Sequence, residues 1–224
     1  MRWVELARST VRGALAALAL VAAAAHCVPL TPEELAKICA DAEDSSHCGR
    51  LVEGVQLNRL PNLAVRDGAT LRVSLFPSGT ATLTDTEALN GGRSYSLWDY
   101  INELNAVVLY TTDGDDVTFT LLQRATGRKT ELPSEPKVSP DRARLVTADF
   151  CEKRCVNELA VWRVTREAIR KEWTWKSGDT WSDAVASWKG NYTVVIEYTA
   201  AGAQTRSRVE RRLDDPSWIR ATTP

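Results

Sequence analysis

The sequence predicts a mainly β protein, either an antiparallel meander of propeller-like blades or an open β-sandwich, with a short helical N-terminal segment. Three observations carry this. From Ala64 onward, short runs alternate apolar and polar residues, the period of a half-buried strand. Between the runs stand turn signals such as Pro77-Ser78-Gly79, Asp113-Gly114-Asp115 and Ala125-Thr126-Gly127. Before them, Thr31-Pro32-Glu33-Glu34 is a helix start. Thr31 caps, Pro32 fits the first turn and Glu34 completes a capping box.

That first helix is expected to reach Ala40–Ala42, where Asp44-Ser45-Ser46 breaks it and places Cys48 in a loop. Leu51 to Leu60 suits a second short helix, ended by Pro61. Strands are expected over Leu71–Leu75 and Thr80–Thr84, then a loop from Glu87 to Ser96 around Asn90-Gly91-Gly92. Trp98–Leu104 is mixed in character. Val107–Thr111 and Val117–Gln123 flank a hairpin turn with the right chemistry, Asp113 to Asp116. Lys129–Leu132, Arg144–Ala148, Glu158–Val164 and Ile169–Trp175 come next, then Ala184–Trp188, Tyr192–Thr199 and Thr205–Leu213, with Gly202 in the last turn. In Glu158–Val164, Ala160, Trp162 and Val164 make the apolar face, expected to point inward, opposite Leu159, Val161 and Arg163. No Pro-, Gly- or Ser-rich linker divides this region, so residues 63–224 are expected to form one β domain after a helical segment, 26–62.

Residues 1–25 look like a secretory signal peptide. Arg2, Arg8 and Arg12 precede a short run of small apolar residues, Gly13 to Ala25, and Ala23 and Ala25 fit cleavage after Ala25. The run is too short for a spanning helix, and no later stretch is long and apolar enough to be one. A periplasmic or secreted location is expected, an oxidising compartment in which cysteines pair. Of the five cysteines, Cys39 with Cys48 and Cys151 with Cys155 make two local disulfides. Cys27 is left over. It is a candidate lipidation site, although His26 rather than a small residue precedes it.

The run Phe119 to Leu132 resembles Leu159 to Trp173 at an offset of about 40 residues, the size of a propeller blade. Val138-Ser139-Pro140-Asp141 before a strand is matched by Ser187-Trp188-Lys189-Gly190 before another. The Ser-Pro-Asp turn, with a strand, a loop and Leu159-Ala160-Val161-Trp162-Arg163 after it, resembles blades of propeller-like periplasmic proteins. Residues 95–213 are also similar to uncharacterised exported bacterial proteins with a cysteine-bearing N-terminal segment. That resemblance implies a repeat β scaffold and carries no catalytic motif. Where those proteins have Gly after Ser-Pro-Asp, this chain has Arg142, so the turn is not required to be left-handed.

Net charge is −1, without the positive excess that a nucleic-acid binder needs. A Ser–His or Cys–His enzyme would have to use His47, since His26 lies at the cleavage site. Four thiolates could bind zinc, but export favours disulfides. Asp113, Asp115 and Asp116 miss the EF-hand spacing. No cofactor is expected. Trp173, Trp175, Trp181 and Trp188 crowd one stretch and are the candidate ligand-stacking residues, with core packing as the other reading of the same residues. The expected function is a non-enzymatic binding or interaction module of the envelope, with a protein or a glycan as partner. The alternatives are a carbohydrate-active hydrolase using paired carboxylates near the tryptophans and a periplasmic inhibitor or immunity-type protein.

Overall fold

The structure is a computed structural model and describes residues 29–86 and 92–221. The expected signal peptide, the expected cleavage after Ala25, His26, Cys27 and most of the Asn90-Gly91-Gly92 loop lie outside the described residues. The chain is mainly β, in antiparallel sheets with two helices and no closed barrel among the described residues.

Helix α1, Pro32–Ile38, begins as expected: Thr31 and Glu34 form the reciprocal capping box. Helix α2, Ser45–Arg59, corrects the expectation of a break. Asp44 does not end a helix. It caps one, accepting the His47 N–H at 2.7 Å, so Cys48 is helical. The Cys39–Cys48 disulfide therefore joins the end of α1 to the first turns of α2. Asp and Ser favour caps for the same reason that they disfavour helix interiors, so residues that suggest a break here start a helix.

Among the described residues, fifteen strands make four sheets. β1 (Ala64–Asp67), β2 (Thr70–Ser74) and β3 (Thr80–Thr84) form the first. β4 (Arg93–Ile101), β5 (Ala106–Asp113), β6 (Asp116–Gln123) and β7 (Arg128–Leu132) form the second. β8 (Lys137–Val138), β9 (Arg144–Asp149), β10 (Glu158–Val164) and β11 (Ile169–Lys176) form the third, extended at its β11 edge by β15 (Ile219–Arg220). β12 (Trp181–Lys189), β13 (Thr193–Ala200) and β14 (Arg206–Arg212) form the fourth. The Glu87–Ser96 loop thus ends early, because β4 starts at Arg93. The mixed stretch from Trp98 resolves into the end of β4 and a 3-10 turn, Asn102–Leu104.

Apart from β15, each sheet is a sequential meander, and β4, β8 and β12 begin 44 residues apart. The two similar runs seen in the sequence occupy the third and fourth strands of the second and third sheets. The Ser139 and Trp188 runs mark the first hairpins of the third and fourth. Neighbouring sheets share cores. Leu71, Val73, Leu97 and Leu109 lie between the first and second sheets. Trp98, Val108, Leu121, Leu145 and Trp162 lie between the second and third, and Leu159, Val161, Trp175, Trp181 and Ile196 between the third and fourth.

This stack corrects the one-sided reading of β10. Ala160 and Trp162 face the second sheet while Leu159 and Val161 face the fourth, and all four are buried. Strands covered on both faces read as continuous apolar runs. Leu159-Ala160-Val161-Trp162 is one, and Ala106 to Tyr110 in β5 is another. Helix α2 lies against β4 at Gly49, where a Cβ would stand 2.8 Å from Tyr110 Cδ1 and 3.0 Å from Ser96 Oγ.

Candidate functional site

A cleft of 590 Å³ opens between the second and third sheets. Its size suits a small ligand. The end of β4 and the 3-10 turn form one side. The β7–β8 connection and the β8–β9 turn form the other.

A β-bulge sets the floor. Leu97 pairs with Leu109, but Asp99 pairs with Val108, so Trp98 is an extra residue. Bulges re-aim side chains. With strict alternation Asp99 would share the face of Leu97 and enter the core against the first sheet. The bulge instead puts Asp99 on the face of its partner Val108, toward the third sheet. Trp98 takes the same face and stacks on Tyr110 with ring centroids 4.9 Å apart. Asp99 is left 8% exposed. Its Oδ1 accepts the Tyr100 N–H at 2.8 Å.

Burial pushes the Asp99 carboxyl above its ordinary value, against the Tyr100 N–H bond. The Glu135 carboxylate adds to the rise, while Lys137 and Arg59 draw it down through space. Lys137 Nζ is itself held by Glu135 Oε1 at 2.7 Å. Strand β8, which carries Lys137, is fastened from behind: Trp188 Nε1 donates to the Lys137 carbonyl at 2.8 Å.

The Ser139-Pro140-Asp141-Arg142 turn closes one rim. Arg142 has φ 62°, so the turn is left-handed although it carries no glycine. Such a residue costs about 1–2 kcal/mol. The local bonds offset this. Arg142 N–H donates to the Ser139 carbonyl at 2.8 Å. Ser139 Oγ donates to Asp141 Oδ1 at 2.6 Å and accepts from Arg144 N–H at 3.0 Å. The bond from Ser139 holds the Asp141 carboxyl below its usual value.

The tryptophans singled out in the sequence do not line this cleft. Trp175 and Trp181 are buried between the third and fourth sheets, and Trp181 stacks on Tyr198 at 3.9 Å. Trp173 and Trp188 are partly buried against the same core. Arg144 lies over the Trp173 ring at 5.3 Å, and Arg211 over Trp175 at 5.5 Å. The Cys151–Cys155 disulfide closes the β9–β10 loop. Arg154 of that loop meets Asp115 and Asp116 of the β5–β6 hairpin. His47 Nδ1 accepts the Glu43 N–H at 3.2 Å. Among the described residues, no three His, Cys, Asp or Glu side chains converge as a metal site.

Asp99 was not singled out in the sequence. Its signal was present: one carboxylate inside the apolar run Leu97-Trp98-Asp99-Tyr100-Ile101. A buried carboxyl with a raised pKa in a cleft is a mark of a functional site. A larger cleft, 940 Å³, opens at the start of α2, but its Arg50 and Asp85 are already paired with each other. Comparisons with protein families, curated proteins and solved structures find no match. The fold and the cleft alone therefore define the class, a stack of antiparallel meander sheets with an acidic inter-sheet cleft.

The Asp99 shift has a stability consequence. Its native pKa lies above the unfolded value, so the folded state holds the proton more tightly. Stability from this group is present in acid and is lost as pH rises through the raised pKa. Asn, which resembles the protonated acid, escapes that loss. Asp99→Asn is expected to melt above wild type at neutral pH, with the gap closing as pH falls into the ordinary carboxylate range. Melting curves across that range check this. A variant that melts lower at every pH would make the carboxylate a structural group.

Proposed function

We propose that the protein is an exported, non-enzymatic binding module of the bacterial envelope that receives a small ligand in the cleft between its second and third sheets. The observation that carries this reading is Asp99, a buried carboxyl that a bulge turns toward the cleft. Holding such a group there opposes stability, as binding sites commonly do. The two disulfides suit an oxidising compartment. The N-terminal segment has the pattern of a signal peptide, Cys27 is the residue that a lipid anchor would use, and the 44-residue step between sheets suits propeller-like blades.

Expression of the full chain in a bacterial host tests the reading. The expected result is a processed, periplasmic form with both disulfides, from which denaturation releases a small molecule that the Asp99→Asn protein does not retain. An unprocessed cytoplasmic chain with free thiols would overturn it.

One observation favours hydrolysis as a second reading. Asp99 is held toward its acid form by burial and Glu135 shares its cleft, and a pair of carboxyl groups in one cleft can serve as acid and base. Against this, Glu135 is held by Lys137.

A further inference from the structure

We infer that the ligand of this cleft carries a primary ammonium group on a short apolar stem, with the ammonium seated on the Asp99 carboxylate. The inference rests on the reading of the cleft as a ligand site and names the chemistry that the site accepts.

An ionised carboxylate has about four acceptor positions. Asp99 is 8% exposed, and its one hydrogen bond among the described residues is the Tyr100 N–H on Oδ1. Its second oxygen is left to the cleft, where a charged donor on a ligand gains a charge-assisted hydrogen bond. The nearby cations do not take this place. Lys137 Nζ is bonded to Glu135, and Arg59 acts on Asp99 through space.

The charge of the lining selects the sign of the ligand. Asp99, Glu103 and Glu135 line the cleft against Lys137 and Arg142, so the lining is net acidic. An anionic ligand would be repelled. A cation gains a charge-assisted hydrogen bond, about twice as strong as a neutral one.

The carboxylate's geometry separates ammonium from guanidinium. A guanidinium gains most from a fork-to-fork pair with both carboxylate oxygens. Here Oδ1 is already engaged by Tyr100. An ammonium is a compact point charge that a single free oxygen can seat. The stem is set by the walls, where Leu60, Ile101, Pro136, Val138 and Pro140 present apolar surface. Each methylene buried there should raise affinity roughly fourfold.

Calorimetric titration of the purified protein tests this with pentylamine, propylamine, pentan-1-ol, pentanoate and propylguanidine. Pentylamine is expected to bind best, about tenfold or more above pentan-1-ol and roughly fifteenfold above propylamine, for two further methylenes. Pentanoate is expected not to bind. Asp99→Asn, shown to be folded by its melting curve, should lose pentylamine about tenfold or more and keep pentan-1-ol. Nα-acetyl-lysine methylamide separates the sources of the ammonium. Tighter binding than pentylamine assigns it to a peptide lysine, weaker binding to a free amine, and both outcomes support the inference. If pentan-1-ol equals pentylamine, or Asp99→Asn binds the amine unchanged, the ammonium inference fails and the cleft reading stands. If no probe binds, both fail.

Discussion

Glu53→Ala is expected to cost about 3–5 kcal/mol, the loss typical of removing one partner from a buried ion pair. Glu53 is 3% exposed on α2. Its Oε1 accepts from Arg50 at 3.1 Å and from Arg66 Nε at 2.9 Å. Its Oε2 accepts from Arg66 at 2.8 Å and from the Leu97 N–H at 2.9 Å. Both arginines also reach Asp85 and the Tyr95 carbonyl. One carboxylate therefore ties α2 to β1 and β4, with Asp85 completing a neutral set of two arginines and two acids. Alanine would leave two half-buried guanidinium groups facing a single carboxylate. At ~2–4 °C per kcal/mol for a chain of this size, the melting temperature should fall by about 10 °C. The cost belongs to the uncompensated charge more than to the lost attraction. A Glu53→Leu, Arg66→Met double variant should therefore lose less than Glu53→Ala. Thermal melts of the two variants check both statements. A Glu53→Ala protein that melts like wild type would show that the network adds nothing to stability.

Nothing local in the sequence marks Glu53. It lies in a helix expected only from Leu51, whereas α2 begins at Ser45. Asp44-Ser45-Ser46 has the composition of a helix break as much as of a cap. The two differ in whether the residues after them can propagate a helix, and Cys48-Gly49-Arg50 gives a weak signal of that. Strands were more legible, since alternation and turn residues act over a few positions. The Asp113–Asp116 hairpin and the runs beginning at Thr80, Val117 and Glu158 fall within strands or turns of the expected kind, and the Leu71 run does so up to Ser74. Strands of two residues, β8 and β15, are too short to show a period. β15 pairs with β11 only because the chain returns there after β14.

Asp99 was hidden for a different reason. Strict alternation puts it on the wrong face, and a bulge announces itself by no residue type in Leu97-Trp98-Asp99. At Arg142 the absence of glycine pointed away from a left-handed turn. Hydrogen bonds within Ser139-Pro140-Asp141-Arg142 and to its flanks hold the conformation that a glycine would adopt freely. The tryptophans were conspicuous as a cluster, yet a cluster in sequence does not say which side of a sheet is covered. Trp162, Trp175 and Trp181 stand in strands with another sheet packed over the face they present.

Trp162→Ala is expected to be as damaging as the loss of Glu53. The indole is 9% exposed in the core between the second and third sheets, beside Trp98, Leu145 and Ile169. Truncating a buried Trp removes its transfer energy and leaves a cavity, typically about 3–5 kcal/mol. The cavity would lie at the centre of the stack, where β10 is packed on both faces and cannot collapse toward either without opening the other. A polar penalty adds to this. Trp162 Nε1 donates to Thr147 Oγ1 at 3.0 Å, and Thr147 is 1% exposed. Trp162→Phe separates the two contributions, because it fills most of the volume and drops the donor. It should fall between wild type and alanine. Lys171 lies over the indole at 5.2 Å, a weak cation–π contact that phenylalanine keeps in part. Domains of ordinary stability hold ~5–15 kcal/mol, so the alanine protein would lose a large share of its margin. Its melting temperature should drop by about 10 °C, while pentylamine affinity measured well below that temperature stays unchanged, since Trp162 does not line the cleft. A Trp162→Ala protein that keeps the wild-type melting temperature but loses a ligand would place the indole at a binding surface instead of in the core.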